Sequence, residues 1–196
     1  AAYLEPFNLL HRNQMMENEP PEHTRLRRPV ARVFGRGHVE RLRPRVGELA
    51  GDLLARVDPA GFDVIRDYAE PLPVLVIAEL LGVPASYADD LRDWSQAIVK
   101  MYEVDPSPAV VDAAVSSAAD FDGLIRELIR ERRARPQADR PADLLGDLST
   151  TELSEDEMVA SAVLLLNAGH EASVNVFGNG LTAMLRRGLR PGHPGC

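Results

Sequence analysis

The sequence predicts an all-α domain, and three observations carry that expectation. A single helical pattern runs from Ser154 to about Arg187 without an internal proline. Shorter apolar runs of helical period are set apart by breakers such as Asp58-Pro59-Ala60-Gly61 and Gly82-Val83-Pro84. Only Phe62 to Tyr68 reads as a short extended piece, and no internal repeat or low-complexity tract appears.

Length and composition set the outer limits. A chain of 196 residues, 45% hydrophobic and 27% charged, has room for one domain with a sizeable core. A net charge of −8 argues against a general nucleic-acid binder. The lone Cys196 excludes an internal disulfide or a cysteine-cluster metal site and fits a reducing compartment. No apolar run reaches the roughly 20 residues that span a bilayer, and the N-terminus lacks a signal layout. The expectation is a cytoplasmic protein with neither membrane nor nucleic acid as a partner.

Residues 1–19 show no strong period. Pro20-Pro21 then ends an extended segment, and Glu22 suits the first turn of a helix carrying His23 and Arg27 one turn apart. An imidazole and a guanidinium on one face suit the binding of carboxylates, and equally a solvated basic face. Pro29 inside this helix costs ~3 kcal/mol and predicts a kink. From Arg25 to Arg45 there are eight arginines against one acid, Glu40.

His38 to about Val57 is amphipathic, with Val39, Leu42, Val46, Leu49, Leu53 and Leu54 placed on one face. Pro71 opens an apolar helix that Gly82 stops. Residues 85–99 form another helix, with Leu91, Trp94, Ile98 and Val99 as its apolar contacts. Asp105-Pro106-Ser107-Pro108 reads as loop, and Ala109 to Arg135 as a long helix, heavily charged over Arg126 to Arg133. A polar turn over Arg135 to Pro141 and a short helical piece at Ala142 to Leu148 lead into the last helix.

That helix starts at a capping box, Ser154 with Glu157. Some 30 residues at about 1.5 Å each give a rod of roughly 45–50 Å. In its middle, Asn167, Glu171, Asn175 and Asn179 form a polar stripe. Beside it, Ala168, Gly169, Ala172 and Ser173 form a patch almost without side chains. Gly169 costs about 1 kcal/mol relative to Ala, which calls for a reason: close helix packing or a flat ligand.

Two motifs resemble bacterial cytochrome P450 monooxygenases of the actinobacterial type. Ala168-Gly169-His170-Glu171-Ala172-Ser173, after Leu164-Leu165-Leu166-Asn167, resembles the oxygen-binding stretch of their I helix. Ala172 stands where the family usually has threonine, a variant similar to macrolide polyketide hydroxylases. Pro20-Pro21-Glu22-His23-Thr24-Arg25-Leu26-Arg27-Arg28, followed by Val33-Phe34, resembles the start of the C helix. Pro71 to Pro84 is similar to the E helix, and Ala142 to Leu148 to the H-helix region.

The resemblance implies a predominantly all-α chain: the central helical part of the cytochrome P450 fold, without the N-terminal sheet and the C-terminal heme-ligand region. In those terms 15–35 is the C helix, 38–57 the D helix and 71–82 the E helix. Residues 85–135 are the F and G helices with the lid, 154–187 the I helix, and 188–196 an atypical tail. It implies heme as cofactor, with His23 and Arg27 on a propionate and Ala168 and Gly169 beside the ring. Glu171, Ala172 and Ser173 are the catalytic positions, and Leu165 and Ala168 border substrate. Glu171 serves proton delivery; with no hydroxyl at Ala172, Ser173, a water or a substrate hydroxyl takes that part.

The implied reaction is hydroxylation of a small hydrophobic molecule, an oxygenated polyketide among the options, with O₂ and electrons from a ferredoxin docking on the arginine-rich segment. The tail, with His193 and Cys196 separated by two residues instead of one, does not fit the family's heme-ligand loop, so no metal ligand is assigned. The resemblance runs from about Met15 to Arg186, and the expectation is a truncated piece, inactive alone, from a frame interrupted near Arg187. A non-catalytic helical remnant and an all-α ligand-binding regulator remain the alternatives.

Overall fold

The computed structural model describes residues 2–33 and 36–189. Among the described residues there are eight α-helices: α1 (Glu5–Arg12), α2 (Glu22–Val33), α3 (Arg36–Arg56), α4 (Pro71–Leu81), α5 (Ala88–Lys100), α6 (Pro108–Ala134), α7 (Leu144–Leu148) and α8 (Glu155–Arg186). No strand occurs among the described residues, and none of their helices is long and apolar enough to cross a membrane.

The first half of α8 is the axis of the core. Ser154 Oγ accepts from the Glu157 backbone N–H and the Glu157 carboxylate accepts from Ser154 N–H, closing the capping box. Met158, Val159, Ala162, Val163 and Leu166 are then buried against residues from α1, α2 and α4 to α7. Around them pack Leu10, Leu26, Val74, Leu81, Leu91, Ile98, Phe121, Ile125 and Ile129. Trp94 of α5 lies on Phe121 of α6 with ring centroids 5.8 Å apart.

Ion pairs fix how the helices meet. Arg25 of α2 binds both Glu22 and Glu157, tying α2 to the first turn of α8. Arg126 of α6 reaches Asp122, Glu155 and Asp156. Arg132, within the heavily charged stretch of α6, is buried against Asp143, with Nη2–Oδ2 at 2.6 Å. Arg132 also donates to the carbonyl oxygens of Gly82 (2.7 Å) and Leu128 (3.0 Å). Gly82 takes φ 76° to end α4, and a side chain there would overlap both Asp143 and Arg132.

Four local expectations change. Ile65–Ala69, overlapping the piece over Phe62 to Tyr68 that reads as extended, forms a π-helical turn. The Asp63 carboxylate accepts from the backbone N–H of Ile65 and Arg66, which starts the turn. Residues 5–12, without a clear period, form α1. Pro108 is not loop but the first residue of α6, behind the Ser107 cap. Leu54 lies off the buried face of α3, half exposed, while Leu49 and Leu53 are buried.

Candidate functional site

The candidate site is the stretch where α8 leaves the core. Leu166 and His170 are buried, whereas Ala168, Glu171, Ala172 and Ser173 are exposed. Beyond them Val176, Phe177 and Leu185 remain open to solvent, although α8 continues to Arg186. A long helix thus carries a small-residue patch at the border between its packed and unpacked halves.

Each side of the patch has a distinct neighbour. Gly169 faces α4: a Cβ there would overlap Cδ1 of Ile77, so this glycine lets the two helices approach closely. Leu165 packs against the core, half-buried. Ser95 of α5 donates to Asn167 Oδ1 at 2.9 Å, which engages the first member of the polar stripe. One turn on, Glu171 and Asn175 line a cavity of about 540 Å³ between α5 and α8. Glu70, Lys100, Tyr102, Glu103 and His170 contribute to its walls. Further along α8, Phe177 meets Tyr68 of the π-helical turn with ring centroids 5.6 Å apart.

The hydroxyl of Ser173 donates to the Gly169 carbonyl at 2.7 Å, a bond to the preceding turn. Its proton is therefore already committed. Ala172 offers no donor.

His170 was not among the residues the sequence singled out. It is 4% exposed, and its Nε2 has no hydrogen-bond partner among the described residues. Burial lowers its pKa, while Glu70 and Glu171 act to raise it and Arg92 to lower it. A histidine interrupting an apolar helix was the visible signal.

On α2, His23 is half-buried and Arg27 exposed, one helical turn apart. Neither side chain has a hydrogen bond or ion pair among the described residues, whereas Arg25 between them is doubly paired. Of the arginine-rich segment, Arg43 is bound to Glu40, and Arg45 to Glu48 and Glu79. Arg27, Arg28, Arg32 and Arg41 are exposed and have no ion pair among the described residues.

The side chains of His23 and Arg27 are donors on α2 that the carboxylates of a cofactor can use, and α8 offers an open face without bulky side chains. No cluster of metal-ligating side chains occurs among the described residues. Cys196 and His193 lie outside them, as does Phe34.

No family model matches the chain. It is 41% identical over 174 residues to the vitamin D(3) 25-hydroxylase of Pseudonocardia autotrophica, covering 87% of this chain and 41% of that protein. It is 37% identical over 174 residues to the 6-deoxyerythronolide B hydroxylase of Saccharopolyspora erythraea, covering 87% and 42%. Among solved structures, P450BioI in complex with an acyl carrier protein ligated to hexadec-9Z-enoic acid matches with a TM-score of 0.86 at 26% identity. That match covers 95% of this chain and 48% of that one. The chain thus spans less than half the length of the relatives it matches.

Proposed function

We propose that this chain, which belongs to the bacterial cytochrome P450s, forms the propionate clamp and oxygen-side wall of a heme-dependent monooxygenase. In this reading α2 to α6 correspond to the family's C to G helices and α8 to its I helix. The observation that carries it is the His23–Arg27 pair, held one turn apart and left without an internal acid. An imidazole and a guanidinium so placed suit the two carboxylates of a heme edge.

A bound heme would supply the redox chemistry by which one oxygen atom of O₂ enters a substrate C–H bond and the other, with two electrons and two protons, becomes water. The chain's own residues then divide the remaining work. His23 and Arg27 orient the cofactor through its propionates. Gly169 sets the depth of α8 against Ile77 of α4, which fixes where Ala168 and Ala172 stand on the open side. Leu165 and Ala168 border the substrate. Glu171, exposed at the cavity, takes protons from water and passes them inward.

The family's usual hydroxyl donor is missing at Ala172. Because Ser173 already donates to the Gly169 carbonyl, an ordered water or a hydroxyl of the substrate is the better replacement. That favours an oxygenated substrate such as a polyketide, in keeping with a relative named for hydroxylating 6-deoxyerythronolide B. Electrons would come from an acidic ferredoxin docking on Arg28, Arg32 and Arg41, which have no ion pair among the described residues.

The test is heme retention. Mixed with hemin and desalted, the chain should keep a protein-bound Soret band, and H23N/R27Q should lose most of it. Equal retention by the variant would remove the clamp.

A further inference from the structure

Helix α2 has a second polar side. Thr24, Arg28 and Arg32 follow one another four residues apart on one stripe, rotated about 100° from His23 and Arg27. All three are exposed, and Arg28 and Arg32 have no ion pair among the described residues. Two guanidiniums one turn apart repel each other, and an anion held between their forks removes that repulsion. The chain gives its acids to the neighbours instead: Glu22 and Glu157 to Arg25, Glu40 to Arg43, and Glu48 and Glu79 to Arg45.

The stripe is one wall of a groove of about 950 Å³. The other wall is the connection from α7 to α8, with Thr150, Thr151 and Glu152, and its chemistry is the reverse. The Thr150 and Thr151 hydroxyls donate to the carbonyl oxygens of Asp147 (2.8 Å) and Leu148 (2.7 Å), so what remains to them is acceptor capacity. Glu152 is exposed and has no ion pair among the described residues. Donors thus stand on one wall and acceptors on the other. The Arg25–Glu157 pair ties α2 to the first turn of α8, directly after that connection, so the two walls are fixed relative to each other.

We propose that this groove binds a hydroxyl-bearing phosphate ester of sugar-phosphate size. Arg28 and Arg32 hold the phosphate and Thr24 donates to it, while Glu152 and the threonine oxygens accept from the ligand's hydroxyls. A tetrahedral dianion offers oxygens to both guanidinium forks at once, whereas a single carboxylate satisfies one. The volume is that of a small-molecule site, and a bare ion would leave most of it to water. A ligand there occupies two of the three arginines assigned above to the electron donor, so the two exclude each other. The inference needs neither heme nor the propionate clamp.

The test is calorimetric titration of the chain, at low salt, with ribose 5-phosphate, inorganic phosphate and ribose. Ribose 5-phosphate should give a saturable isotherm, about threefold or more tighter than inorganic phosphate, and ribose should give none. R28Q/R32Q should weaken both phosphates about tenfold or more, while R41Q, an exposed arginine outside the groove, should leave them within about twofold. E152Q should abolish the preference for ribose 5-phosphate without weakening inorganic phosphate. The substituted side chains are all exposed, so native circular dichroism is expected of every variant. Absence of saturable binding, binding retained in R28Q/R32Q, an equal loss in R41Q, or a preference that survives E152Q would each overturn the proposal. None of these variants touches His23 or Arg27, so a failed groove and a failed clamp are told apart.

Discussion

Replacing Arg132 with Leu should destabilise the chain more than any other loss of a single charge. The guanidinium is 5% exposed and Asp143 is 9% exposed. Arg132 gives Asp143 a bidentate contact, with Nε–Oδ1 at 2.9 Å and Nη2–Oδ2 at 2.6 Å. Its remaining donors satisfy the carbonyls of Gly82 and Leu128, so one side chain holds the end of α4, the body of α6 and the start of α7. Removal strands Asp143 with one backbone partner, the Gly146 N–H at 2.7 Å. Breaking a buried pair from one side costs about 3–5 kcal/mol, a large part of the 5–15 kcal/mol that typically keeps a domain folded. With a urea slope of about 2 kcal/mol per molar, the midpoint should drop by about 2 M. Circular dichroism at 222 nm against urea reads this directly. R132L/D143N should recover part of the loss, since Asn keeps the α7 cap without a buried charge. A loss under about 1 kcal/mol, or no recovery in the double variant, would refute the reasoning.

Two further outcomes follow from α8. G169A gains about 1 kcal/mol of helix propensity but drives a Cβ into Ile77 Cδ1, so G169A and I77V should be non-additive. In denaturation experiments I77V should cost about 1 kcal/mol alone and much less, or nothing, in the G169A background. His170 gives a pH dependence with a definite sign. Its folded pKa is lowered from the ordinary 6.5, so the unfolded chain binds the proton first. Its contribution is fully present above about pH 6.5 and is lost as the pH falls through the folded value. Thermal melts across that window should show the loss in the wild type and not in H170Q.

The regular part of the fold was legible because its signals are local. The Ser154–Glu157 box and Pro71 with Gly82 mark helix ends by chemistry that acts within one turn. The segment over 65–69 misled because Val64 and Ile65 suggest a strand, whereas the Asp63 carboxylate accepts from the Ile65 and Arg66 N–H groups and starts a helical turn. Arg132 was hidden among neighbours that do face solvent, such as Arg130 and Arg133, and its partner lies beyond the intervening turn. At the site, the i, i+4 spacing of His23 and Arg27 and the small-residue patch could be read directly. That Gly169 faces Ile77, that Ser173 is committed to a backbone carbonyl, and that His170 borders a cavity depend on neighbouring turns and helices. Spacing alone does not encode them.

The most direct test of the central claim uses the chemistry of the cofactor's own edge. The chain is titrated, by absorbance, with hemin and with hemin dimethyl ester, whose propionates carry no charge. The same pair of titrations is run on H23N/R27Q. If His23 and Arg27 form a propionate clamp, the wild type should bind hemin about tenfold or more tighter than the ester, the worth of at least one charge-assisted contact of 1.5–3 kcal/mol. The variant should lose that preference. Equal binding of the two hemes by the wild type, or an unchanged preference in the variant, would contradict the account.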